Sequence, residues 1–503
     1  MTLFSRVALV LLISFGVASV EAASVSADSK ASKSPTVKAP KRKPASKKPD
    51  VAPEAKPDAT QPTSAPDATS AAETLVAHFV SHAYLDKPNT DLTAIEVDAM
   101  NRFIDDTTIV DSEKSIILIR YEVGDPRVQD ALIKAKNKGF REVVLITDLN
   151  VALDGSFAAN EKFNSNFTGS KFKSSNPGLV LQNLLKAGFV YNEGAYRILS
   201  QPLYSDKVYA PPIMHEKELL LATGALNNLQ LRVGFFGTAN MNGVERYNRL
   251  FRVEDKQTLK VLYDHSLILE DAYKKGLETK GAANFDLVKI NYGDGSSQEI
   301  EFTDGRRNPN DRITALLQRA TDPAQNLKIT NVLFSHFVLT NKFVVGALNA
   351  AMKAQPDFKV QGVFDQSFIS SDGAGLSSTL VGFTMLRSYM GKTSSVQPFE
   401  LALVSRMELF GYQRGVEHPE NVPASQPQSM LHLWHDKTTV IDVVEDSHPW
   451  TYVFTGSFNN SAHAENAELQ IMYRFPSDAA IVTDIKQSVM DAIRNNCWSG
   501  EFS

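Results

Sequence analysis

The sequence predicts an α/β protein made of two similar halves that pack about a pseudo-twofold axis with parallel-rich sheets. Three observations lead there: a strand-helix-strand pattern occurs twice, each copy is followed at nearly the same distance by a His-x-Lys tripeptide, and each tripeptide is followed by a Gly-hydroxyl-x-Asn element. With 503 residues, 43% of them hydrophobic, the chain can bury a large core, and its length suits two domains or one duplicated unit.

In the first copy, residues 115–121 (SIILIRY) read as a buried strand, 126–138 (PRVQDALIKAKNK) as a helix stopped at Gly139, and 143–147 as a strand closing on Asp148. In the second, 328–334 is the strand, 341–353 (NKFVVGALNAAMK) the helix, and 359–364 the strand closing on Asp365. Both are parallel strand-helix-strand units. From Asp148 to His215 is 67 residues, and from Asp365 to His435 is 70. So long a matched interval is hard to produce by chance. The halves are placed at 73–285 and 286–503.

Ahead of them, residues 1–22 carry Arg6, an apolar run from Val7 to Val17, and small residues up to Ala22. That is the layout of a secretory signal peptide, with cleavage expected near Ala22 and a secreted or periplasmic mature chain. No other stretch approaches the roughly 20 apolar residues of a membrane span. Residues 23–72 are rich in Ala, Ser, Pro and Lys and hold few large apolar side chains, so they are expected to be a disordered tether. This segment has nine Lys or Arg against five acids, about +4, which leaves about −9 to the rest of a chain whose net charge is −5. It is expected to be a solvated spacer, with contact to an anionic envelope surface the other reading. The lone Cys497 excludes an intramolecular disulfide and any cysteine metal cluster.

The second half reads Trp434-His435-Asp436-Lys437, then Asp442, then Gly456-Ser457-Phe458-Asn459. The first reads Met214-His215-Glu216-Lys217, then Ala222 in place of the aspartate, then Gly237-Thr238-Ala239-Asn240. Lys217 precedes Gly237 by 20 residues and Lys437 precedes Gly456 by 19. On a strand, residues two apart share a face, so each imidazole projects beside its ammonium. A glycine admits a second backbone closely, and an asparagine adds a neutral donor beside the cation. The set makes a phosphate pocket. Isolated histidines such as His265, His336 and His463 are read as structural. No Gly-rich phosphate loop, His-Glu-x-x-His zinc motif or Gly-x-Ser-x-Gly elbow supports a competing enzyme class.

Through these doubled motifs the chain resembles the phospholipase D superfamily, across both halves. The resemblance implies a phosphodiesterase that needs no metal or other cofactor, with one histidine attacking phosphorus and the other protonating the leaving alcohol. By carry-over, His215 is the nucleophile and His435 the general acid, though the order is open to reversal. Lys217, Lys437, Asn240 and Asn459 bind phosphate with Thr238 and Ser457, and Asp442 completes the second motif. The family also places a histidine-orienting carboxylate after the Gly-Ser-x-Asn element. Glu468 matches it in the second half, with Glu465 a rival, and Glu245 is the nearest carboxylate in the first. The absent aspartate at Ala222 makes the first half partly degenerate.

Within that resemblance, two motifs on one exported chain look more like the secreted phospholipases than the short single-motif nucleases that dimerise, which implies a phospholipid substrate, by hydrolysis or transphosphatidylation. The alternatives are a metal-independent endonuclease of the same superfamily, which the acidic globular region modestly disfavours, and a catalytically degenerate envelope-binding protein.

Overall fold

The computed structural model describes residues 84–85, 91–153, 175–201, 214–225, 228–241, 245–277, 287–304, 308–337, 339, 341–365, 403, 406–412, 433–460 and 467–498. The expected signal peptide and tether, and the residues His463 and Glu465, lie outside them.

The first half contains β1 (Tyr84–Leu85), β2 (Lys114–Arg120), β3 (Glu142–Thr147), β4 (Val190–Tyr191), β5 (Tyr196–Leu199), β6 (Lys217–Ala225), β7 (Asn228–Gly237), β8 (Glu245–Arg246) and β9 (Arg249–Val253). Its helices are α1 (Leu92–Asp105), α2 (Pro126–Asn137), α3 (Asn176–Lys186) and α4 (Lys256–Lys274). The second half supplies β10 (Val288–Asn291), β11 (Ser297–Asp304), β12 (Leu327–His336), β13 (Lys359–Asp365), β14 (Met407–Tyr412), β15 (Leu433–Trp434), β16 (Lys437–Glu445), β17 (His448–Gly456), β18 (Ala467–Pro476) and β19 (Cys497–Trp498). With them go α5 (Asp311–Arg319), α6 (Lys342–Ala354) and α7 (Ala480–Asn496).

Among the described residues, the first sheet runs β1-β9-β7-β6-β2-β3-β5-β4 and the second β10-β11-β18-β17-β16-β12-β13-β14-β19. The inner order of the second, β18-β17-β16-β12-β13-β14, repeats β9-β7-β6-β2-β3-β5 of the first. The two strand-helix-strand units form as expected, with β2 parallel to β3 and β12 parallel to β13. Their helices begin where local chemistry dictates: Asp125 accepts from Arg127 N ahead of Pro126, and Asn341 accepts from the amides of Phe343 and Val344. The parallel-rich expectation needs correction. Each sheet is mixed, because β6, β7 and β9 and their counterparts β16, β17 and β18 pair antiparallel. The alternation of these strands suits hairpin meanders with no crossover helix.

Side-chain alternation sorts the apolar residues into three cores. Ile116, Leu118, Val143 and Leu145 face α1, α2 and α3, and Val332, Phe334, Val360 and Phe364 face α5 and α6. The opposite faces of both sheets, through Ile117, Ile119, Phe236, Leu333, Val440 and Ile471, share the third core with α4 and α7. The halves therefore meet over a buried apolar seam, where each fully buried side chain contributes roughly 1.5–3 kcal/mol. No described helix is long and apolar enough to cross a membrane.

Candidate active site

Both His-x-Lys motifs lie at the entrance to a strand that pairs antiparallel with the first strand of its strand-helix-strand unit. Lys217 stands opposite Arg120 at the end of β2, and Lys437 opposite His336 at the end of β12. His215 is 7% exposed, His435 5%, and both lysines are fully buried. A buried ammonium must be hydrogen-bonded. Lys217 Nζ donates to the carbonyl of His215 at 2.8 Å, and Lys437 Nζ donates to that of His435 at 2.8 Å. The Lys437 ammonium also stands 3.0 Å from both ring nitrogens of His435.

Each histidine is held by a residue of the opposite half. His215 Nδ1 lies 3.0 and 2.9 Å from the two oxygens of Glu468, at the start of β18. Ser457 Oγ donates to Glu468 at 2.6 Å and accepts from Leu469 N at 2.9 Å. His435 Nδ1 lies 3.0 Å from the side-chain amide of Asn248, just before β9. Thr238 Oγ1 lies 3.0 Å from the same amide and accepts from Arg249 N at 2.8 Å. The two arrangements are copies, with Asn248 where the other has Glu468. Gly237 and Gly456 make them possible: a Cβ at either would lie 2.1 Å from the carbonyl oxygen of Arg249 or Leu469.

This one substitution separates the histidines chemically. A carboxylate has no proton to give, so Glu468 can only accept Nδ1–H of His215, which leaves the Nε2 lone pair bare. The Asn248 amide atom that faces His435 also faces the main-chain carbonyls of His435 (3.3 Å) and Thr238 (3.2 Å). Carbonyls have no proton to offer, so that atom is the nitrogen. It donates to His435 Nδ1, and neutral His435 then carries its proton on Nε2.

The electrostatics agree. Burial pushes the His215 pKa below the usual range, opposed by Glu468 and reinforced by Lys217 and, from the other half, Lys437. Burial acts upward on Glu468, but His215, Lys217 and Ser457 outweigh it and hold the carboxyl below its ordinary range. The charges of both motifs thus act at one place.

The residue between each His and Lys is buried as well. Asp436 accepts from Arg249 of the first half (Nη2 at 2.9 Å), Ser335 (2.6 Å) and Thr438 (2.9 Å). Glu216 instead lies 2.8 Å from Nε2 of His265 on α4, whose ring stacks 3.5 Å from Phe302 of β11. Burial raises Glu216 well above the carboxylate range and lowers His265 to about 4. Aromatic rings flank the two histidines: Tyr121 is edge-on to His215 at 5.1 Å, and Phe337 is tilted against His435 at 5.4 Å.

Several sequence-predicted residues are placed differently from expectation. Asp442 is not brought to the site. It sits five residues along β16 from Lys437, paired with Lys486 of α7 at 2.6 Å and accepting from Thr451 Oγ1 at 2.6 Å. Its counterpart Ala222 is a buried position in β6, so the missing aspartate does not thin out the site. Ser457 gives its hydroxyl proton to Glu468, whereas Thr238 Oγ1 accepts from the Asn248 amide and from Arg249 N. Glu468 orients a histidine, but that of the other half. Glu245 belongs to β8, where its backbone pairs with Leu433, and its side chain lies outside the described residues. Asn240 is buried and Asn459 partly so, two residues beyond their hydroxyls. His265 and His336, expected to be structural, are both buried, with His336 Nε2 lying 2.7 Å from Thr439 Oγ1. The sequence reading missed Asn248, and the repeat held the signal: Asn248 lies 10 residues after Thr238, as Glu468 lies 11 after Ser457. Among the described residues no His, Cys, Asp and Glu cluster has the makings of a metal site.

No protein-family model and no curated protein matches the chain. Solved structures do. Phosphatidylserine synthase from Haemophilus influenzae Rd KW20 is 11% identical, with 81% of this chain and 85% of that one covered at a TM-score of 0.48. Polyphosphate kinase from Porphyromonas gingivalis is 12% identical over 84% of this chain, at a TM-score of 0.44, and the chain spans 51% of its length. Nuc from Salmonella typhimurium, a phospholipase D family member, is 14% identical and covers 40% of this chain and 98% of its own, at 0.25. The chain thus has two like α/β halves, each with a His-x-Lys motif whose histidine is held by the other half, and it is in these doubled motifs that it resembles the phospholipase D superfamily.

Proposed function

We propose that the protein is a phospholipase D-type phosphodiesterase that hydrolyses phospholipid phosphodiester bonds through a phosphohistidine at His215. The observation that carries this reading is the unlike pair of Nδ1 partners, Glu468 on His215 and Asn248 on His435, from which complementary tautomers follow. His215 Nε2 attacks phosphorus, a P–N bond forms, and the P–O bond to the leaving alcohol breaks while His435 Nε2–H protonates that oxygen. Water then attacks phosphorus, His435 takes its proton, and the P–N bond breaks to release the phosphate monoester. An alcohol in place of water gives transphosphatidylation. Glu468 stabilises the cationic ring of the intermediate. Lys217, Lys437, Asn240 and Asn459 are assigned to the non-bridging oxygens, where buried cations and preorganised amides stabilise developing charge. No metal ion has a role in this scheme.

The export expected from residues 1–22 favours an envelope phospholipid over nucleic acid. The test is headgroup release from phosphatidylcholine or phosphatidylethanolamine vesicles in EDTA, which His215→Ala and His435→Ala should each abolish. Cleavage of DNA in EDTA without lipid turnover would replace the phospholipase reading with the nuclease. Turnover of neither, with ligand binding unchanged in His215→Ala, would favour the envelope-binding protein.

A further inference from the structure

We infer that residues 247–249 and 434–436 form a clasp between the halves that positions His435 for proton transfer. The inference rests on the role of His435 as general acid. Three consecutive residues on each side meet in matched order. Tyr247 stacks on Trp434 with ring centroids 5.0 Å apart and planes 19° apart. Asn248 holds His435 Nδ1 at 3.0 Å. Arg249 reaches Asp436 Oδ2 through Nη2 at 2.9 Å and Nε at 3.3 Å. One step earlier the backbones pair as parallel strands, Leu433 with Glu245 and Trp434 with Arg246.

Both ends of the clasp are anchored. Arg249 begins β9 and, like Asp436, is fully buried, while Asp436 is tied to β12 through Ser335 and to β16 through Thr438. Between β8 and β9 the chain turns at Tyr247, in the left-handed region at φ +54°. Non-glycine residues visit that region seldom, and here the turn carries Asn248 from the two-stranded pairing to the histidine.

Among the described residues the other crossing has no such ladder. His215 meets Glu468, but Glu216 turns to His265 of its own half, and Leu469, the counterpart of Arg249, has no charge to offer. The asymmetry fits the two tasks. Both groups must be preorganised, and the general acid must in addition keep its Nε2–H aimed within hydrogen-bond reach of the leaving oxygen, a direction set by what holds Nδ1. Trp434, Tyr247 and Arg249 are therefore positioning residues, acting through Asn248 and His435.

Leaving-group dependence separates positioning from general damage. An alkoxide needs the proton as it departs, whereas p-nitrophenolate does not. First-turnover rates of wild type, Trp434→Leu, Tyr247→Leu and Trp434→Phe are to be compared on short-chain phosphatidylcholine and on bis(p-nitrophenyl) phosphate. The two leucine variants should lose about 10²-fold on the phosphatidylcholine and stay within about 3-fold on the aryl ester, the size of a lost general acid. Trp434→Phe, which keeps a ring on Tyr247, should restore most of the rate. Equal losses on both substrates, or none, would overturn the clasp. A wild type that turns over neither removes the phosphodiesterase reading, and histidine nitrogen NMR then decides: Trp434→Leu must shift the His435 ring signals and leave those of His215 in place, and unchanged His435 signals overturn it.

Discussion

Replacing Glu468 with glutamine changes one atom pair and removes the charge on which the proposed nucleophile depends. The carboxylate lies within 3.0 Å of His215 Nδ1 and is fully buried. As His215 bonds to phosphorus its ring becomes cationic, so the carboxylate stabilises the transition state more than the neutral ground state. Two unit charges about 4 Å apart at an effective dielectric of about 20 attract by about 4 kcal/mol. Since 1.36 kcal/mol is tenfold in rate, Glu468→Gln should lower kcat by about 10³-fold. Ser457 can still donate to the amide oxygen, so the fold should persist. The assay is single-turnover release of p-nitrophenol from bis(p-nitrophenyl) phosphate, with thermal unfolding run alongside. A loss under about tenfold in a variant that melts like wild type would refute the assignment of His215 as the carboxylate-supported nucleophile, as would a larger loss in Asn248→Ala on this same aryl substrate.

Activity should have an acidic limb below pH 6.5, because burial depresses the His215 pKa and the attacking ring must be neutral; a kcat/KM profile measures it. Stability should show a separate alkaline fall. Burial raises Glu218 to about 8 from an ordinary 4.5, and neither of its oxygens has a partner among the described residues, so the folded state holds an extra proton between those values and loses stability as pH rises through them. The buried neutral rings of His265 (about 4) and His336 (about 3) act oppositely, but only below 6.5. From pH 6.5 to 8 the fall due to Glu218 is on the order of 2 kcal/mol, and Glu218→Gln should remove it in urea titrations at the two pH values. Asp442→Ala should cost about 1–2 kcal/mol through its lost bonds to Lys486 and Thr451, while kcat stays within about 2-fold, since Asp442 lies away from the site. Gly456→Ala should abolish activity and lower the melting temperature by many degrees, because its Cβ would meet the Leu469 carbonyl at 2.1 Å and its φ is +148°.

The sequence by itself determined the local elements and their duplication. Apolar runs such as 115–119 and the caps Asp125 and Asn341 act within a few residues, and a repeat of matched intervals survives in any linear reading. It also determined which histidines and lysines stand together, because residues two apart on a strand share a face. What lies across the seam was decided by tertiary structure alone. Glu468 follows the second motif yet serves the first histidine, and Asn248 follows the first yet serves the second, since the two sheets pack face to face and each motif is completed by its neighbour. For the same reason Asp442, which reads as the third member of its motif, belongs to the anchoring of α7: 3.3 Å of rise per residue carries it about 16 Å along β16 from Lys437. Spacing along a chain reports what one strand presents. Only packing decides what it is presented to.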